Sequence, residues 1–162
     1  MIEKIKQIQN GIISIYTNKY DLNVFYAGKY IDNDKKYLMI HSVNPNGEDD
    51  GLMCIKITDI YRVDYDGEYE KNLFLKSKFS NYDITLKDNF LRDLLEYAKN
   101  KKYIVELQMY NNDENCVIGY VQEIDNEHVV INIVNESGSI EGETIVMLES
   151  ISLVGCNGCQ SK

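Results

Sequence analysis

Two cysteines near the end of the sequence stand at a spacing that could support chemistry. Cys156 and Cys159 enclose an Asn-Gly dipeptide, and two thiolates so spaced can hold half of a tetrahedral Zn²⁺ site or form a redox pair. The remaining zinc ligands would come from the same pair of a second chain, or from Cys54 and Cys116. The pair follows an expected strand rather than opening a helix, which disfavours redox activity. A metal-stapled dimer is therefore one hypothesis, and an ordinary turn, as expected at 65–68, is its alternative.

A group of cationic and aromatic residues in the first half could bind nucleic acid. It consists of Lys35, Lys36, Tyr37, Lys56 and Arg62. Aromatic rings interleaved with cations can stack bases and hold phosphates. However, residues 1–80 carry 11 basic and 12 acidic side chains, so even this half is slightly acidic. RNA binding through the first half is thus an alternative hypothesis rather than the leading one.

The remaining candidate residues suggest structure rather than catalysis. The two histidines, His41 and His128, lack a readable Cys-His or Ser-His-Asp arrangement and are expected on exposed strand faces. The acidic run 48–50 lacks the alternating ligands of a calcium loop and is expected to be solvated. Cys54 and Cys116 are expected to be small apolar fillers. The sequence therefore predicts no catalytic residue, no cofactor and no enzyme activity.

Charge is unevenly spread along the 162 residues, whose formal net charge is −9. From Tyr103 to Ser161 there are ten Asp or Glu and no Lys or Arg. Nucleic acid attracts proteins through cationic side chains, so it is a disfavoured partner of the second half. That half could meet basic surfaces or cations, or could simply present a solvated acidic face.

The sequence favours a cytoplasmic protein without a membrane segment. No apolar run approaches the roughly 20 residues that cross a bilayer, and the opening MIEKIKQIQNG lacks the pattern of a secretion signal. Four cysteines are too few and too unevenly spaced for a disulfide framework. A reduced, cytoplasmic environment is expected.

An internal repeat organises the chain. Shifting the sequence by 91 positions lays 28–67 over 119–158, and ten of the 40 aligned pairs are identical. The identities fall on glycines and apolar strand positions, such as Gly28 with Gly119 and Ile40 with Ile131. Backbone geometry and core packing restrict the residue type at such positions, so the pattern predicts two copies of one unit.

Each copy is predicted to contain a short helix followed by five strands. Ile2, Ile5 and Ile8 form one apolar stripe, and Asp88 is the expected N-cap of a helix over 89–99. In both copies a strand bends at a glycine, a Gly-bounded loop separates the third and fourth strands, and one tight turn precedes the fifth. Inward-facing aliphatics are expected to fill an interior too narrow for a ligand.

The order of elements resembles that of the Sm-like fold, and more loosely that of other SH3-like small barrels. Gly119-Tyr-Val-Gln-Glu-Ile-Asp125 is similar to the Gly-x-Leu-x-x-aromatic-Asp stretch of the first Sm motif, and 28–34 repeats the spacing. IVMLESISLV and CIKITDIYRV resemble its second motif in length and apolar rhythm. The layout is also similar to that of tandem proteins of low-GC bacteria, a resemblance that implies no activity.

The RNA-contacting residues of Sm-like proteins do not carry over to this chain. The base-reading Asn of the first motif corresponds to Leu38 and Val129, which cannot hydrogen-bond a base. The Arg-Gly pair of the second motif corresponds to Lys56-Ile57 and Met147-Leu148. RNA binding by the usual face is therefore disfavoured in the second copy and weak in the first.

The sequence thus predicts a mainly β protein of two tandem five-stranded Sm-like or SH3-like barrels, each preceded by a short helix. The first barrel spans 1–67, a possibly helical linker 68–86, and the second barrel 87–162. The leading functional hypothesis is a non-catalytic interaction module that meets another protein, or a second copy of itself, through barrel edges. Small barrels with open edge strands commonly add a strand from a partner.

Overall fold

The computed structural model describes residues 1–8 and 11–157. Three α-helices are present, α1 (Ile2–Lys6), α2 (Glu68–Lys76) and α3 (Phe90–Lys101). The strands are β1 (Ile13–Tyr16), β2 (Tyr26–Asn33), β3 (Tyr37–Val43), β4 (Asp49–Lys56), β5 (Arg62–Tyr65), β6 (Ile104–Met109), β7 (Asn112–Ile124), β8 (His128–Val134), β9 (Ile140–Met147) and β10 (Ile151–Asn157). A single 3₁₀ turn precedes β5 and another precedes β10. The described part of the chain contains no helix with both the length and the apolar character needed to cross a bilayer.

All ten strands belong to one antiparallel sheet, in the order β5-β1-β2-β3-β4-β10-β6-β7-β8-β9. The protein is therefore mainly β, as the sequence predicts. The sheet is open, because its outermost strands, β5 and β9, are not paired with each other among the described residues. Two separately closed barrels, as the sequence led us to expect, are not confirmed, since β4 of the first half pairs directly with β10 of the second.

Within the sheet, the two halves share the same strand order and nearly the same registers. Gly28 pairs with Ser42 and Gly119 with Ile133, while Leu38 pairs with Ile55 and Val129 with Val146, each pair displaced by 91 residues. A bulge also interrupts β2 and β7 at corresponding positions. The first strand of each half differs slightly, because β1 and β6 correspond at a displacement of 92.

Helix α3 is amphipathic and has a side-chain cap at its amino end. The Asn89 side chain accepts a hydrogen bond from the backbone N–H of Arg92, so Asn89 and not the expected Asp88 is the N-cap. A second carboxylate assists from the first half, since Asp34 Oδ2 accepts the Phe90 N–H at 2.8 Å. Lys102 ends the helix in the left-handed conformation. These contacts fix the helix where the two halves meet.

The largest core cluster spans both halves of the chain. In this cluster the apolar face of α3, which includes Leu94 and Leu95, packs on inward-facing residues of the second half such as Leu107 and Ile131. The same cluster takes in four residues of β3 and β4, namely Tyr37, Met39, Leu52 and Cys54. A second cluster lies under α1 and buries Ile5 against the first half. Since β3 is buried along its whole length, its two faces belong to different cores.

A segment that we call the strap, residues 77–89, runs from α2 to α3 across the first half. It begins where the Lys78 N–H donates to the Gly47 carbonyl at 3.1 Å, and its Tyr82, Ile84 and Leu86 pack on the largest core. It ends where Asp34 caps α3. The predicted linker 68–86 thus contains helix α2 followed by an extended segment that covers the outer face of β3 and β4.

The close approach of β8 to Gly119 in β7 provides a test of this packing. A Cβ at Gly119 would lie 2.0 Å from the Asn132 carbonyl oxygen, whereas a Cβ at Gly155 would meet only the Met53 terminal methyl at 3.9 Å. We expect Gly119→Ala to lower the free energy of unfolding by about 2 kcal/mol or more, because the backbone must shift. Gly155→Ala serves as the control and should change it by less than about 1 kcal/mol. Urea unfolding measures both, and equal effects would contradict this packing.

Candidate functional site

The junction of β4 with β10 is an extensive contact inside the chain. Its register pairs Leu153 with Ile55 and Cys156 with Leu52. The side chains of these four residues are buried. The junction therefore combines backbone pairing with apolar contacts, as the pairing within each half does.

Side-chain hydrogen bonds reinforce the junction on both sides. The buried Tyr37 hydroxyl donates to the Ile151 carbonyl at 2.6 Å, and Tyr26 and Gln108 are hydrogen-bonded to each other across the two halves. The Asn111 side-chain amide donates to the Thr17 carbonyl at 2.9 Å. Asn111 and its neighbour Tyr110 both have positive φ, which the tight β6–β7 turn requires. Because two of these bonds join strands of the two halves and the third joins a turn of each, the halves form one body.

The outermost strand β9 carries exposed apolar side chains. Ile140, Ile145 and Met147 are 59%, 68% and 52% exposed. Cys54, which corresponds to Ile145 in the first half, is completely buried. The same strand position is thus covered in one half and bare in the other. A bare, apolar strand edge can take up a further strand.

The other outermost strand, β5, borders an apolar cavity of about 330 Å³. Its lining includes Ile5 and Ile8 from the amino-terminal segment, and Val63 and Tyr65 from β5. Lys4 lies at its border. The Arg62 guanidinium donates to the Asp64 carboxylate and lies over the face of the Tyr16 ring on β1.

The two edges differ in charge. Strand β9 carries Glu141 and Glu143 and no cation, whereas β5 carries one cation, Arg62, paired with Asp64 on the same strand. Like charges placed opposite each other disfavour the contact of two surfaces. The β9 edge is therefore electrostatically suited to the β5 edge, whose own charges balance, more than to a second acidic β9.

A buried contact between His41 and Asp49 holds the strap on the first half. His41 Nε2 lies 2.9 Å from Asp49 Oδ2, with both side chains about 90% buried. The same carboxylate accepts hydrogen bonds from the Ser80 N–H at 2.7 Å and from the Tyr82 hydroxyl at 3.1 Å. The Phe79 and Tyr82 rings pack edge-on against the imidazole. Two predictions were wrong here: His41 is not on an exposed face, and Asp49 is not a solvated loop charge.

The strap should loosen in acid through Asp49. Burial raises the pKa of this carboxyl, but hydrogen bonds from Gly51, His41 and Ser80 outweigh burial and lower the pKa overall. A lowered pKa contributes stability above the unfolded-state value of about 3.9, which is lost as pH falls through the lower folded-state value. Asp49→Asn should therefore lower stability at pH 7 and flatten its decline in the acid range.

Chemical unfolding between pH 7 and pH 3 measures this effect. The exposed Asp66 has no partner in the strap and provides the matched control, Asp66→Asn. A control variant that flattens the acid decline as much as Asp49→Asn would show that the strap contacts are not responsible.

The residues of the nucleic-acid hypothesis do not form one accessible surface. Tyr37 is buried, which contradicts a role in base stacking. Its neighbours Lys35 and Lys36 lie in the exposed turn before β3, and Lys56 donates to the Glu149 carbonyl at 3.3 Å. Arg62 lies on the outermost strand β5 with its guanidinium bound to Asp64 at 2.8 Å. Only the two turn lysines remain as exposed cations of this group without a described contact.

The predicted cysteine pair is only partly within the described residues. Cys156 is buried in the core beside the junction, and burial raises the pKa of its thiol to about 12. Burial likewise raises the pKa of Cys54 well above its usual value. Cys159 lies outside the described residues. The described residues contain no cluster of three metal-ligating side chains, and Cys116 is exposed rather than a core filler.

Comparison with known proteins adds no assignment. No family model, curated protein or solved structure matches this chain.

The sequence did not predict the junction or the buried Asp49. Backbone pairing between β4 and β10 leaves no side-chain signature, because any sequence compatible with an inner strand can form it. A signal for Asp49 did exist, since the acidic run lies at the start of β4 and His41 lies near the end of the neighbouring β3. Reading those two residues as a pair would have required the register of β3 with β4.

Proposed function

We propose that this protein is a non-catalytic interaction module whose two open strand edges, β5 and β9, bind further strands. The partner strand comes from another protein or from a second copy of the chain. We also propose that the two halves are copies of one Sm-like or SH3-like barrel unit. The equal strand order and the registers displaced by 91 residues support this interpretation.

The observation that carries the proposal is the β4–β10 junction. The fourth strand of each half, β4 or β9, has one unpaired side unless another strand pairs with it. In the first half, β10 is that partner, whereas β9 has only β8 beside it among the described residues. Likewise β5 corresponds to β10 but, within the part of the chain that the structure describes, has only β1 beside it. The chain therefore forms one such junction internally, β4 with β10, and leaves the two strands of a second one, β5 and β9, at opposite ends of the sheet.

A second junction built like the first would have a defined register. Displacing the internal pairs by 91 residues places Val63 of one chain opposite Ile145 of another, and Asp64 opposite Thr144. The first pair buries an exposed isoleucine against a valine. The acidic side chains of β9 would approach β5, where Arg62 and Asp64 balance each other, and this avoids the like-charge repulsion of β9 with β9.

Association of this kind is head-to-tail, because each chain uses a different edge on its two sides. Repeated head-to-tail contacts close into rings when the rotation per chain permits and otherwise give filaments. The same edges could instead be satisfied by strands of a different protein, since strand addition relies mainly on main-chain hydrogen bonds.

A disulfide between introduced cysteines tests the register. Directly opposed residues on antiparallel strands have Cα atoms about 4.5–5.5 Å apart, within the range that a disulfide bridges. We expect Asp64→Cys with Thr144→Cys, in a background with serine at 116 and 159, to form a ladder of covalent multimers under mild oxidation. Non-reducing electrophoresis detects it.

The matched control moves one cysteine out of register. Asp64→Cys with Glu141→Cys separates the two sites along the strand by about 10 Å and should cross-link far less. Equal cross-linking in both pairs would contradict the register. Absence of any cross-link, together with monomers in sedimentation at about 100 μM, a concentration at which even micromolar contacts form, would contradict self-association.

A further inference from the structure

A cavity of about 410 Å³ opens on the second half between the end of α3 and strands β7 to β9. Its apolar lining comes from Ala98, Val121 and Ile140. Cavities of about 300–1,000 Å³ with an apolar lining and a few polar groups are typical of small-molecule sites. Its lining reaches Ile140 at the start of β9, but its other residues belong to α3, β7 and β8, so the inference does not rest on strand addition.

Four polar side chains line the same cavity. Lys99 and Lys102 come from the last turn and the end of α3, and Tyr120 and Asn132 from paired positions on β7 and β8. The third lysine of this region, Lys101, is instead bound to the strap, where its ammonium lies 3.1 Å from an Asp83 oxygen.

The lysines stand out because of their surroundings. From Tyr103 to the last described residue, the second half contains no Lys or Arg. Two exposed lysines therefore line a cavity in an otherwise acidic region. Such a pair favours an anionic group within the cavity over one elsewhere on this half.

The first half shows what this position of the fold can hold. The cavity residues on β7, β8 and β9 correspond, at a displacement of 91, to positions that the strap covers in the first half. These pairs are Tyr120 with Lys29, Asn132 with His41, and Ile140 with Asp49.

In the first half an aromatic ring occupies that position. The Phe79 ring lies with its centroid 4.9 Å from that of His41, and the Lys29 ammonium is 5.8 Å from the Phe79 centroid. In the second half, no described segment takes the place of the strap. A Cβ at Gly138 would meet nothing within 4 Å, whereas one at the corresponding Gly47 would lie 2.7 Å from the carbonyl oxygen of Lys76, the last residue of α2.

We infer that this cavity binds a small molecule with a planar aromatic ring and an anionic group. The ring takes the position that Phe79 occupies in the first half, between Tyr120 and the apolar lining. Lys99 and Lys102 bind the anionic group, and the Asn132 amide hydrogen-bonds a polar edge of the ring. A carboxylate and a phosphate satisfy this chemistry equally, so both belong to the ligand class.

Titration of the ¹⁵N-labelled full chain with two probe compounds tests the inference. Indole-3-acetate supplies a ring with a carboxylate, and AMP a ring with a phosphate. We expect at least one of them to shift the amide signals of Tyr120 and Asn132, with affinity about tenfold or more above that of indole alone and of inorganic phosphate alone. The compound that binds more tightly identifies the anion.

Paired lysine variants complete the test. Lys99→Gln with Lys102→Gln should weaken binding about tenfold or more, while Lys35→Gln with Lys36→Gln, which removes two exposed lysines of the first half, should leave it unchanged. The inference is overturned if neither compound shifts these signals at millimolar concentration. It is equally overturned if phosphate alone binds as tightly as these compounds, or if the Lys99 and Lys102 substitutions leave the affinity unchanged.

Discussion

The backbone pairing of β4 with β10 is the constraint on which the rest of the structure depends. It joins two five-stranded halves into one sheet. As a result, one face of β3 and β4 packs into the core that α3 covers. Because β4 is taken up in this way, the sheet must end at β5 and β9. The open edges are therefore a consequence of the internal junction.

The two halves share one pattern of hydrogen bonds but differ in what covers them. In the first half, α2 and the strap lie over the sheet, and the buried His41–Asp49 pair holds the strap in place. In the second half, Asn132 and Ile140 occupy the corresponding positions, and they line an open cavity instead. Burying the Asp49 carboxylate costs desolvation unless hydrogen bonds compensate, so its presence in only the covered half is consistent with a role in holding that cover.

Much of the fold can be predicted from the sequence because the repeat encodes local geometry. Gly28 and Gly119 mark positions where the neighbouring strand approaches closely, and alternating aliphatics mark the strands, so the strands of both halves lie where the pattern predicts them. Long-range pairing was not predictable, since it uses backbone groups that every residue has. For the same reason Tyr37 looked like a surface aromatic, although its hydroxyl is bound across the junction. The candidate sites depend on the pairing and therefore became visible only in three dimensions.

Amide hydrogen exchange of the dilute chain tests the central pairing most directly. An unpaired strand edge exchanges by local fraying, whereas a strand inside a sheet opens only with larger cooperative units. If β10 pairs with β4, the hydrogen-bonded amides of 52–55 and 153–156 should be protected as strongly as those of β3 and β8. Exchange of these amides as fast as that of the outermost strands β5 and β9 would contradict the single sheet and with it the origin of the open edges.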